Sequence, residues 1–281
     1  VFLQRSSPWP LAGFSFLAAS LILFALSAAQ GFPAIGPGFH TSVAVTVTIN
    51  VLATALFYRA LSRIDLSLGL PMLAFTPVFL ILTSFLILGE VPTFSGALGI
   101  LLVTAGAYLL HLEYHQGRPI SFTAPLGILQ QSRGVQMMLL VAFLYSLSVN
   151  YDKRVVLTSD PVFGSAVVLF LLALPFLIVT AFSRPKVPDG PLPRPIFRET
   201  ALSYPVVWVY IGTGFVLALE AVAVNIGYTL TVVPYVIAVK RLSIFFSVLY
   251  GGLLLGEHQL GGRALGGMVM IAGTVLIGLL G

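Results

Sequence analysis

The chain is 281 residues long, 58% hydrophobic and only 8% charged, with a net charge of +5. Soluble domains carry about 25% charged residues, so this composition excludes a soluble fold of this size and makes lipid the main solvent. The modest positive balance lies mostly between apolar runs, which marks topology rather than a nucleic-acid surface. With no cysteine, disulfides, thiolate metal sites and cysteine nucleophiles are excluded as well.

Apolar runs of spanning length occur at 11–29, 42–60, 66–88, 93–112, 134–151, 161–182, 205–228, 232–255 and 263–281. They do not alternate as barrel strands do. They predict an all-α membrane protein, a polytopic bundle of nine visible transmembrane helices. The first run lacks a basic start and is followed by further spans, so it reads as a helix rather than a signal peptide.

In chain order, the second run carries Ser42, Thr46, Asn50, Thr54 and Tyr58, a polar residue at every fourth position. That spacing keeps the five on one broad side of a helix, facing other helices or a water-filled cavity rather than lipid. Pro71 and Pro77 in the third run are candidate kinks. The fifth run ends at Asn150, Tyr151 and Asp152, followed by Lys153. The seventh contains Glu220, Asn225 and Tyr228. Asn225 is a further candidate for hydrogen bonds to a substrate.

The eighth run reads as one uninterrupted helix with Lys240 and Arg241 near its middle. A charge at that depth costs at least ~2.5–3.5 kcal/mol, so it is expected to face a cavity or a partner. Lys240, Ser243, Ser247 and Tyr250 follow at helical spacing and are expected to line a cavity. Arg241 lies about 100° round the helix from Lys240 and is expected to pair with Glu220 at similar depth on the preceding helix. That leaves Lys240, with Lys153 at the cavity mouth, to hold an anion.

Two parts of the chain resemble one another. Residues 86–110, LILGEVPTFSGALGILLVTAGAYLL, align with 253–277, LLLGEHQLGGRALGGMVMIAGTVLI, and the segment led by Pro8 echoes the one led by Pro161. The second half has a helix, 134–151, ahead of its Pro-led segment, for which the first half shows no counterpart. The expectation is therefore a missing first helix, ten helices in the full chain, and two inverted repeats of five. The domains expected are a first repeat at 1–112, a linker at 113–133 and a second repeat at 134–281. Gly96, Gly99, Gly106, Gly262, Gly266 and Gly273 are expected to permit close backbone approach, within the chain more readily than between copies. Glu90 and Glu257 end their helices in equivalent places and read as interface residues.

The paired LGE at 88–90 and 255–257, with the stretch YRALSRIDLSLGLPMLAFTPVFLILTSFLILGE at 58–90, resembles the drug/metabolite transporter superfamily, specifically its two-repeat EamA-type members. The resemblance implies a multi-pass secondary transporter working by alternating access. In outline, Lys153 and the Lys240–Arg241 pair look like the phosphate-holding residues of the plastidic phosphate translocators in that superfamily. The second half departs from the first in having Ile244 where the first has Pro77.

By alternate connections, Arg5, Arg59, Arg63, Arg118, Arg133, Arg184, Lys186, Arg194, Arg198 and Arg263 fall on one side, and only Lys153 and Arg154 on the other. The first side is expected in the cytoplasm and the protein in the inner cell membrane. No P-loop, nucleophile elbow or dinucleotide pattern occurs, and the HLEYH at 111–115 is not a zinc motif. Neither enzyme activity nor a cofactor is expected, and movement must draw on a gradient or on exchange.

The function expected is therefore transport of an organic or phosphorylated anion, with export of amino acids or neutral metabolites as the alternative. A non-transporting scaffold, or a subunit of a lipid-modifying complex, is the alternative of another class. The partners expected are a small-molecule substrate, a coupling ion, the lipid bilayer and no nucleic acid, the protein acting as monomer or homodimer.

Overall fold

A computed structural model describes residues 8–64, 66–111, 114–115, 118–119, 132–182, 204–255 and 260–281. Among them the helices are α1 (Pro8–Gln30), α2 (Phe39–Leu61), α3 (Leu66–Leu73), α4 (Thr76–Leu88), α5 (Phe94–His111), α6 (Arg133–Leu157), α7 (Pro161–Phe182), α8 (Tyr204–Leu230), α9 (Val233–Lys240), α10 (Leu242–Leu255) and α11 (Leu260–Leu280). A two-residue antiparallel pair, Tyr114–His115 (β1) with Arg118–Pro119 (β2), is the one extended feature described.

Among the described residues six stretches are long and apolar enough to cross a membrane, and Phe94–Leu110 and Leu265–Leu280 are shorter apolar helices. Large apolar side chains such as Leu86, Phe94, Trp208 and Leu279 stand more than half exposed. In a chain of this composition that is a lipid-facing surface. The protein is thus an all-α polytopic membrane protein.

The chain divides into two compact units that do not follow its halves. The first comprises 1–47 with 154–226, and the second 48–153 with 227–281. In the first unit α1 packs along α7, around buried Ala19, Leu23, Ala166 and Ala218. Asp160 starts α7 by accepting the Val162 and Phe163 amides at 2.7 and 2.9 Å, with Pro161 supplying the preset first turn.

In the second unit α5 packs along α11. A Cβ on Gly99 would meet the Gly273 carbonyl at 2.8 Å, and one on Gly106 the Gly266 carbonyl at 2.5 Å. Only glycine permits that approach, so the expected intrachain role of these four glycines is what the backbone uses. Each self-similar segment therefore packs against its own mate, α1 on α7 and α5 on α11.

Two helices differ from expectation. The run 66–88 is interrupted at Ala74 and Phe75, and the run 232–255, read as continuous, is interrupted at Arg241. The first break has a sequence cause. Pro77 has no N–H, so the carbonyl four residues earlier, on Leu73, loses its helical donor. The second has no Pro or Gly. The Arg241 amide is shared between the Ile237 and Ala238 carbonyls, and the Ile244 amide bonds to Arg241 itself, a local 3₁₀ tightening. Helix α6 also runs on to Leu157, past the expected end at 151, because Asp152, Lys153 and Arg154 continue the helix beyond the apolar run.

Candidate functional site

Arg241 sits at the second break and serves the first. Its Nη2 donates to the Leu73 carbonyl at 2.9 Å, the oxygen that Pro77 leaves without a backbone donor, and the Thr76 hydroxyl donates to the same oxygen at 2.8 Å. The guanidinium thus lies at the C-terminal end of α3 while its own backbone caps α9, and helix dipoles favour a cation at both places. The partner described for Arg241 is a backbone carbonyl rather than the carboxylate expected from the sequence. Its Nε is fully occluded and makes no hydrogen bond among the described residues.

Around this cation the second unit gathers polar groups from two helices. On α2, Asn50 donates to the Ser148 hydroxyl on α6 at 2.5 Å, and Thr54 hydrogen-bonds the Tyr145 hydroxyl, with Tyr58 and Arg241 nearby. Tyr145 and Ser148 are three residues apart on α6, so one face of that helix meets the polar stripe of α2. The next face of α6 is used for packing. There Asn150, fully buried, donates to the Thr83 hydroxyl and the Ser146 carbonyl and accepts from Ser84. Every group in that set is satisfied within the protein.

The remaining residues singled out in the sequence are dispersed. Lys240, Ser243, Ser247 and Tyr250 are exposed, so the deeper of the two adjacent cations is Arg241. Lys153 does not adjoin Lys240. It pairs with Glu90 at 2.5 Å and donates to the Thr231 carbonyl at 2.8 Å, beyond the opposite end of α9, whose first residue, Val233, lies roughly 10 Å along the helix from Lys240. Thr46, Glu220 and Asn225 belong to the first unit. There Thr46 is fully buried, Glu220 is exposed, and Asn225 donates to the Ser165 hydroxyl at 2.6 Å.

Sequence reading missed Tyr145 and Ser148, since Tyr145, Ser146, Ser148 and Asn150 fall on two faces of the helix rather than forming one stripe. Glu90 was read as an interface residue and is one. Gly89, at φ 71°, closes α4 with a left-handed turn, which projects Glu90 to accept the Val233 amide at the start of α9 at 2.8 Å. Its repeat mate Glu257 lies outside the described residues, as does most of the linker at 113–133.

The sequence of residues 1–112 matches the EamA-like transporter family. No curated protein matches the chain. A solved crystal structure of a protein superposes with a TM-score of 0.74 at 15% identity, covering 98% of this chain and 90% of that one, which shows a shared fold. Residues 1–112 thus resemble an EamA-like transporter domain, and the chain is a multi-pass membrane protein.

Proposed function

We propose that the protein is a secondary-active carrier of a small organic or phosphorylated anion, working by alternating access between two inverted repeats. The observation that carries this reading is the occluded Arg241 Nε, without an acceptor among the described residues. A buried donor left unpaired costs about 1–3 kcal/mol, and an anionic oxygen supplied by a ligand removes that cost. Nη2 is committed to Leu73, so the guanidinium is held in place before substrate arrives. Tyr145, set by Thr54, offers a hydroxyl beside it. Lys240, one residue away on the exposed side, is read as drawing anions toward the site rather than binding them at depth. The end rich in basic residues is read as cytoplasmic, in the inner membrane.

The test is thermal stabilisation of the purified protein by a panel of phosphate monoesters, dicarboxylates, zwitterions and neutral compounds. A ligand at 100 times its Kd stabilises by about 2.7 kcal/mol. Stabilisation by anions alone, lost in Arg241→Gln, supports the reading. Stabilisation by zwitterionic or neutral compounds that survives Arg241→Gln makes the arginine a structural cap and the protein an exporter of that class.

A further inference from the structure

We infer that Glu90 and Lys153 form a conformational latch at one end of the second unit. This rests on the protein being a transporter and not on which solute it carries. Glu90 takes two partners with its two oxygens, Oε1 on Lys153 at 2.5 Å and Oε2 on the Val233 amide at 2.8 Å. Lys153 in turn donates to the Thr231 carbonyl at 2.8 Å. The two side chains are only 11% and 13% exposed. Three segments are thereby tied together: the turn after α4, the end of α6 and the turn between α8 and α9. The Thr93 amide adds a second tie from the α4–α5 turn, donating to the Tyr235 hydroxyl on α9 at 2.8 Å.

The position of these bonds gives them a consequence for motion. The chain passes from one compact unit to the other within α2, between Val47 and Thr48, within α6, between Lys153 and Arg154, and within α8, between Ile226 and Gly227. Lys153 is thus the last residue of α6 in the second unit, and Thr231 lies a turn past the corresponding point of α8. Within the second unit the Glu90–Lys153–Thr231 chain ties the turn after α4 to α6 and to the turn before α9, so those segments separate only when the pair releases. An ion pair suits such a device, because it holds while dry and weakens once water enters.

The chain has no native cysteine, which makes a single-cysteine reporter clean. Val233→Cys places a thiol at a fully buried position under the latch, and its maleimide labelling in nanodiscs reads opening. Glu90→Gln keeps an acceptor for the Val233 amide and removes only the charge, whereas Lys153→Met removes the other partner. Each is expected to speed labelling about tenfold, and the double variant no more than either single, since both delete the same pair. A second reporter, Ile100→Cys, fully buried in the α5–α11 core, is expected to label at an unchanged rate. Unchanged Val233→Cys labelling in both single variants overturns the latch. So do additive effects, or a rise at both reporters, which would mean general loss of packing.

Discussion

A single missing amide proton organises the centre of the second unit. Pro77 cannot donate to the Leu73 carbonyl, and Arg241 Nη2 and the Thr76 hydroxyl take its place. Two outcomes follow at this scale. Pro77→Ala returns a donor that competes with Arg241, so amides at 76–79 should exchange more slowly while anion affinity falls several-fold. Arg241→Lys keeps the charge but cannot cap Leu73 and present a second fixed N–H together, so it should weaken anion binding at least about tenfold in calorimetry. The sequence made the Lys240–Arg241 pair conspicuous, because charge in an apolar run is rare. It did not tell which of the two lies deeper. Adjacent residues differ by about 100° around a helix, and the break at Arg241 has no Pro or Gly to announce it.

Helices that repeat one another in sequence are those that pack most extensively. The α5–α11 contact depends on Gly99 against Gly273 and Gly106 against Gly266. Replacing Gly106 by Val drives a methyl into a backbone carbonyl and should cost about 1–3 kcal/mol, seen as a lowered unfolding midpoint in detergent. Asn150→Leu removes three interhelical or capping bonds. At about 0.6–1.7 kcal/mol per interhelical bond in a membrane, it should lower the midpoint without altering anion selectivity, because its partners are structural. The glycines were legible in the sequence through their repetition. The Asn150 set was not, since Thr83 and Ser84 lie more than sixty residues away and show no pattern of their own.

Across the whole molecule, the order of helices was legible and their grouping was not. Runs of about 20 apolar residues announce themselves, and self-similarity pairs 86–110 with 253–277. The units, however, interleave both halves, and α2, α6 and α8 each contribute to both. Lys153 shows the consequence for the site. Its sequence neighbours suggested a cavity-mouth cation, whereas its partners, Glu90 and Thr231, come from distant segments. The arrangement predicts that amides in the paired mates, α1 with α7 and α5 with α11, exchange slowest by mass spectrometry. The stretches where α6 and α8 pass between units should exchange faster.

The most direct test of the central claim is uptake of a stabilising anion into proteoliposomes by the wild type, Arg241→Gln and Lys240→Gln. If Arg241 anchors the substrate, Arg241→Gln loses uptake at all concentrations that saturate the wild type, while Lys240→Gln retains it with a few-fold higher KM that converges on the wild type at low salt. Undiminished uptake in a folded Arg241→Gln protein would contradict the account.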